Sequence, residues 1–404
     1  MNLVLFDDPT LRQQLLPLSF TRPLAALRCG ILTLAEKWQL LLPQAGISYL
    51  TQEYLQQKYP LHATADTVYL NGACCPSPEL LAALQQLQPG QALQQGSILL
   101  AYRAGTDAAS EYQNASFSPQ STLPWEGPLS LIQHPWDLFR LNGEQLRQDF
   151  ALLTRGRRSA GINDVHTRCY GEEQIFVEEG VKIRAAILNA EDGPIYLGKG
   201  AQVHEGAIIK GPFALCEGAH VNVGGKMRSD TTIGPYCKAG GEISNSILMA
   251  HSNKGHEGFL GNSVLGEWCN LGADTNTSNL KNNYANVKVW SHARERFVDT
   301  GLQFCGLIMG DHSKAGINTM FNTGTMVGVS ANIFGDGFPR TLIPSFAWGG
   351  AAGFSTYKFE TAMETAERVL ERRKLPLSAQ DRAILQHVFE LSAPLRVWEK
   401  KPSD

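Results

Sequence analysis

His256 stands in a short run, Lys254-Gly255-His256-Glu257-Gly258, with glycine on one side and a second glycine two residues on. An imidazole has an unperturbed pKa of about 6.5, so it can take a proton from an ammonium or hydroxyl near neutral pH. The glycines leave room for a substrate beside the ring, and Lys254 shares the loop. The same histidine would also suit a plain surface loop. His251 lies five residues earlier; with His220 of an adjacent subunit as a third ligand, the pair would fit a zinc ion that activates water. Downstream, Asn270, Asn276 and Asn279 are either site groups or a ladder that stabilises successive corners. Lys226 and Arg228 are cations of a solvated wall or contacts for an anion. Asp311-His312-Ser313-Lys314 forms a further polar island.

The elements that must position these residues follow a six-residue period. Leu197, Val203, Ile209, Leu215, Val221, Met227 and Ile233 are six apart, and so are Met309, Ala315, Phe321, Val327 and Ile333. Small residues follow most of them four positions on, such as Ala201, Ala207, Ala219 and Cys237. Leu265, Leu271 and Thr277 keep the same period between the two runs. A period of six fits neither an α-helix nor strand alternation; it predicts a triangular solenoid with one short strand and one corner per hexad. We expect a left-handed parallel β-helix over 172–335. Two stretches, Ile243–Gly258 and Ser278–Cys305, fall out of phase and are expected to leave the coil as loops.

Residues 1–155 read differently. Asn2–Phe6, Ile47–Leu50, Val68–Leu70 and Ile98–Tyr102 are strand-like, and Leu32–Leu42, Glu53–Lys58, Pro78–Leu87 and Trp136–Leu153 have helical spacing. The alternation predicts an α/β, Rossmann-like domain with a largely parallel sheet. Residues 156–171 read as a linker. The segment 336–404 should carry two helices, the second capped by Ser378. Hydrophobic content of 43% and charged content of 18% describe a globular chain. A net charge of −3 with no long basic run gives no support for nucleic acid or an anionic membrane as the main partner. The N-terminus lacks a basic leader, no segment is long enough to span a membrane, and the eight cysteines have no metal-ligand spacing. These features predict a cytoplasmic protein.

Asn253-Lys254-Gly255-His256-Glu257-Gly258-Phe259-Leu260-Gly261, followed by Leu271-Gly272-Ala273-Asp274-Thr275 and Thr277-Ser278-Asn279-Leu280, resembles the bifunctional glucosamine-1-phosphate acetyltransferase/N-acetylglucosamine-1-phosphate uridyltransferase family. The likeness is good over about 240–290, and the order of an α/β domain then a β-helix is the same. It implies acetyl-CoA as co-substrate, an amino-sugar phosphate as acceptor, and a homotrimer whose sites form between neighbouring helices. It implies a catalytic base in His256 and places Asn279 and Asn270 against the sugar or acyl group. The Ala273 amide would face acetyl-CoA as an oxyanion donor. Lys288 and Lys254 would lie near the phosphate or the cofactor, and residues 311–314 would line a coenzyme A channel in a neighbouring subunit. Departures from the family fall at Ser244, where a sugar-binding lysine is usual, and at Leu280 and Phe259, where tyrosines are.

In the N-terminal half, Leu16 through Trp38 resembles a degenerate nucleotidyltransferase signature. The resemblance implies phosphate contacts from Arg22, Arg28 and Lys37, UTP as a substrate and a magnesium ion. The glycine-rich loop is missing, and Gly30 is the sole glycine in the first 45 residues. Asn71-Gly72-Ala73 replaces the magnesium-binding aspartate, which leaves Asp7 or Asp8 as the candidate ligand. Uridyl transfer therefore stays open beside a nucleotide-sugar-binding scaffold without turnover.

Overall fold

The computed structural model describes residues 2–64, 66–105 and 117–399. The chain divides into two compact units: residues 1–15, 21–27 and 32–134 form the first, and residues 16–20, 28–31 and 135–404 the second.

The first unit is an α/β fold. Its strands are β1 (Asn2–Phe6), β2 (Gly46–Leu50), β3 (Thr67–Asn71), β4 (Gln91–Gln95), β5 (Ile98–Arg103) and β6 (Ser121–Pro124), in the order β2-β1-β3-β5-β4-β6. Its helices are α1 (Pro9–Gln14), α2 (Leu34–Leu41), α3 (Glu53–Gln56) and α4 (Pro78–Gln86). Residues of β1 and β3 are buried on both faces, Leu3, Leu5, Val68 and Leu70 on one and Val4, Phe6 and Tyr69 on the other, as a sheet covered on both sides requires. Thr33 and Glu36 close a capping box at the start of α2. The sheet is mixed rather than largely parallel. β1 runs parallel to β2 and β3, whereas β5 is antiparallel to both β3 and β4. The cause is the tight turn at Gly96, whose φ of +58° lets β4 fold straight back into β5. No helix among the described residues is long and apolar enough to cross a membrane.

The second unit is a left-handed parallel β-helix with three walls. Its strands run from Arg168–Tyr170 to Ala347–Gly350, and Gly353–Thr356 folds back as a closing hairpin. The hexad residues fill the lumen: Leu197, Leu215, Ile233, Leu248, Leu265, Met309, Val327 and Ile343 stack in one column, each strand beside the last. Ile243–Gly258 does not leave the coil. It supplies three wall strands, Glu242–Ser244, Ile247–Ala250 and Asn253–Lys254. Ala239, Ile243, Leu248 and Lys254 point inward although they are four, five and six residues apart, because the corners between them are shortened. Ser278–Cys305 does leave, and carries a hairpin of Lys288–Ser291 against Arg296–Asp299.

Helix α5 (Pro135–Thr154), read from sequence as the end of the first domain, belongs to the second unit and packs along one wall of the coil. Gly30 sits in that contact. Its φ is +90°, and an added Cβ would lie 2.4 Å from Asp149 Oδ2 and 2.9 Å from the Gln145 carbonyl. Gly30 donates its N–H to Asn142 Oδ1 (2.7 Å) and accepts at its carbonyl from Thr232 (2.9 Å). The glycine is thus needed for close packing. The tail forms α6 (Phe359–Glu371) and α7 (Ala379–Leu391), and Ser378 caps α7 through the Asp381 N–H.

Candidate functional site

One wall of the coil turns a polar face outward. Successive strands place Gln202, His220, Lys238, Asn253, Asn270, Lys314 and Asn332 in a column. This face floors a groove of about 770 Å³. One edge is the corner that holds His251 and Trp268; the other holds Gly255, His256, Gly272 and Ala273. Helix α6 reaches it with Val369, and Arg372 and Arg373 follow directly after. The lining includes Lys238, Lys314, Arg372 and Arg373 and no carboxylate. Such a set attracts an anion and holds a phosphate well.

The His251 edge is built from residues in the left-handed region: Tyr236, His251, Trp268 and His312 have φ of +59°, +54°, +61° and +61°. Each tops the one before. Their rings stack nearly parallel, with centroids 5.2 Å apart for Tyr236 and His251, 4.0 Å for His251 and Trp268, and 6.3 Å for Trp268 and His312. Burial pushes the His251 imidazole pKa down, with Glu267 opposing and Arg373 assisting. His251 Nδ1 and Asn253 Oδ1 are buried and have no hydrogen-bond partner among the described residues. Both are groove residues that can accept a hydrogen bond, so a ligand ammonium or hydroxyl would satisfy them.

The His256 edge is held from behind. The Gly255 carbonyl accepts from Asn222 Nδ2 (2.8 Å). The His256 and Glu257 carbonyls accept from Lys254 Nζ at 2.5 and 2.9 Å. The Glu257 carbonyl also accepts from the Asp274 N–H (3.1 Å). His256 itself is exposed at the corner.

The structure places the remaining expected site residues as follows. Asn270 and Ala273 line the groove with His256. Asn279 does not: it occupies the next corner of the coil, where its Nδ2 donates to Asn262 Oδ1 (2.8 Å). Asn253 and Asn270 form a second rung at 3.5 Å on the wall, so the asparagines act in part as ladders between coils. Lys288 is exposed at the base of the excursion hairpin. Lys226 and Arg228 pair with Glu257 (3.4 Å) and Glu242 (3.1 Å) on another wall. Lys254 is a correction. It is fully buried inside the coil, so it touches no substrate. Burial pushes its ammonium pKa down to about 8, against the pull of Glu257 and Asp274. Among the described residues, no three His, Cys, Asp or Glu side chains come together to hold a metal.

In the N-terminal region the expected phosphate contacts are buried. Arg22 and Lys37 lie inside the first unit. Arg28 lies inside the second, where its guanidinium donates to the carbonyls of Met249 (3.2 Å) and Ile31. The carboxylates after β1 are committed as well. Asp7 accepts from Arg12 (2.8 Å), Thr51 (2.5 Å) and the Leu24 N–H (2.7 Å), and Asp8 caps α1. Asn71 closes its own turn onto the Ala73 N–H and donates to the Leu99 carbonyl. Asp7 and Asn71 do not fit a magnesium site, because their oxygens already serve the fold, while Asp8 caps α1 through Oδ1.

The sequence did not reveal the ring stack or the two arginines. Each stack residue directly precedes a small corner residue, Cys237, Ser252, Cys269 or Ser313, and that offset is the signal that could have found it.

Residues 3–158 match the family described as "Sugar nucleotidyl transferase". A "Bifunctional protein GlmU" of Methanococcus aeolicus is 33% identical over 110 residues, 27% of this chain and 25% of that protein. A "Bifunctional sugar-1-phosphate nucleotidylyltransferase/acetyltransferase" of Sulfurisphaera tokodaii is 29% identical over 160 residues, 39% of this chain and 37% of that one. The matched parts thus span well under half of these relatives. Among solved structures, a UDP-N-acetylglucosamine acyltransferase from Campylobacter jejuni covers 60% of this chain and 86% of its own at 13% identity and a TM-score of 0.22. The resemblance read from the sequence is borne out at modest identity and partial coverage: residues 3–158 match the sugar nucleotidyl transferase family, and parts of the chain are similar to bifunctional nucleotidylyltransferase/acetyltransferase proteins.

Proposed function

We propose that the chain is an acetyl-CoA-dependent N-acetyltransferase for an amino-sugar phosphate of the glucosamine-1-phosphate kind, in UDP-N-acetylglucosamine synthesis. It would work in the cytoplasm as a homotrimer. One observation carries the reading: His256 stands at the edge of a groove that joins a carboxylate-free set of cations to two buried acceptors. The cations suit the phosphate, and the acceptors suit the ammonium and hydroxyls of the sugar. His256 takes the proton from the ammonium, and the freed nitrogen attacks the thioester carbon. A backbone N–H at the Ala273 corner stabilises the tetrahedral oxyanion. The C–S bond then breaks, coenzyme A leaves as the thiol with the proton that His256 held, and the freed imidazole takes the second proton from the new amide nitrogen and passes it to solvent.

The test is acetyl transfer from acetyl-CoA to a panel of amino-sugar phosphates. We expect His256→Ala to remove turnover while the oligomer, measured by light scattering, is unchanged. Retained turnover in that variant would refute the mechanism.

The committed oxygens of Asp7 and Asn71 favour a second reading for the N-terminal unit, in which it binds a nucleotide sugar without transferring one. Release of pyrophosphate from UTP, magnesium and N-acetylglucosamine 1-phosphate would overturn it.

A further inference from the structure

The lumen of the β-helix is apolar in nearly every coil, yet one of its inward positions carries an ammonium. Lys254 sits in the column Val203, Val221, Ala239, Lys254, with Leu271 and Ala315 beyond it. The small Ala239 in the neighbouring coil leaves space for the lysine stem. The stem runs through the core, and Nζ ends under the corner, 2.5 Å from the His256 carbonyl and 2.9 Å from that of Glu257. A hexad aliphatic would fill the same volume and donate nothing. The corner above has two glycines, Gly255 and Gly258, and Gly258 sits at a φ of +109°, so the sequence alone leaves this backbone intrinsically permissive. Two carbonyls turned inward onto one ammonium remove that freedom and leave the His256 ring facing out.

We propose that Lys254 is a positioning residue for the site: from inside the coil, it clamps the backbone of the Gly255–Gly258 corner so that His256 is presented to the groove in one orientation. This rests on the acetyltransferase reading only for its kinetic consequence. Asn222 holds the Gly255 carbonyl from the other side, so three successive carbonyls of the corner are fixed. The ring and the reacting nitrogen must meet within hydrogen-bond reach, and a misplacement of about 1 Å can cost on the order of 100-fold in rate.

The experiment compares the full chain with Lys254→Met, which keeps the stem and loses the donors, and Lys254→Gln, which keeps an N–H₂ group. Amide hydrogen exchange at residues 255–258 is followed by mass spectrometry, alongside steady-state acetyl transfer. We expect exchange at the corner to accelerate in Lys254→Met and to recover in part in Lys254→Gln. In parallel, kcat should fall by about 10- to 100-fold with KM within about twofold, because the groove floor is untouched. A residue that only filled the core would lower stability and leave kcat of the folded protein alone. Wild-type exchange and kcat in Lys254→Met would overturn the clamp. Should that variant not fold, reductive methylation of the native wild type decides. Lys254 should stay unmodified while Lys226 reacts, and equal modification would overturn the proposal. Faster corner exchange in a protein that acetylates nothing would support the clamp and refute the acetyltransferase reading, so the two failures are distinct.

Discussion

Substituting Lys254 by methionine should change how stability depends on pH, and the size of the change follows from its burial. The ammonium pKa falls to about 8 in the fold, from the ordinary 10.5, because burial penalises the charged form. The ammonium is held by two carbonyls, with Glu257 and Asp274 nearby, so the full shift is an upper bound on its effect. Below about pH 8 both the folded and the unfolded chain hold the proton, and the fold bears the whole cost of the buried charge. Between about 8 and 10.5 the unfolded chain binds more protons than the folded one, so stability rises with pH. Each pKa unit is worth about 1.4 kcal/mol, which sets a limit of about 3 kcal/mol. Integrated between about pH 7.5 and about pH 9.5, the wild type should gain on the order of 1 kcal/mol, and at most about 2 kcal/mol, that Lys254→Met does not. Urea unfolding of both proteins at fixed concentration measures this, and other titrating groups cancel in the difference. Parallel stability profiles for the two proteins would show that the lysine is not desolvated as its position requires.

Further outcomes follow from other sites. Arg373→Glu puts a carboxylate into a groove that has none. KM for a sugar phosphate should rise about tenfold with kcat little changed, and added salt should weaken wild-type binding in the same direction; a salt-independent KM would refute the anion role. Gly30→Ala places a methyl group 2.4 Å from Asp149 Oδ2 in a backbone with φ of +90°, so it should cost more than about 2 kcal/mol in denaturant unfolding. Asp7→Asn removes the buried partner of Arg12, at 2.8 Å. It should destabilise the first unit by about 3 kcal/mol, with or without magnesium; strong magnesium protection of the wild type alone would restore Asp7 as a ligand.

The coil was legible because its signal is geometric. Three walls and one strand per wall force an aliphatic residue inward at each turn, so the six-residue spacing of Leu197 through Ile233 passes straight into the lumen. The reading failed where two rules broke at once. From Ala239 to Leu248 the corners shorten, and the next inward residue is Lys254. A lost phase followed by a lysine looks like a surface excursion, because lysine is almost never fully buried. The second interruption, also read as an excursion from its lost phase, does leave the coil, and its 28 residues exceed what one coil can hold. Gly30 misled in the opposite way. It stands as the sole glycine of the first 45 residues, where the resemblance implies a glycine-rich loop, but its close contacts are with α5 of its own unit, and only the tertiary fold shows that.

The same contrast separates the two halves in function. In the first unit the cations and carboxylates that a nucleotide would need are present in sequence, yet each is buried or bonded within the fold. In the β-helix the polar groups remain on a groove: two buried acceptors lack partners, and the cations face no carboxylate in the lining. A buried polar group without a partner costs stability, commonly 1–3 kcal/mol. A site that retains two of them gains that energy back only when a donor arrives. By this argument the proposed chemistry sits where unpartnered acceptors and unopposed cations share one groove, on the wall between the His251 edge and the edge that Lys254 holds from within.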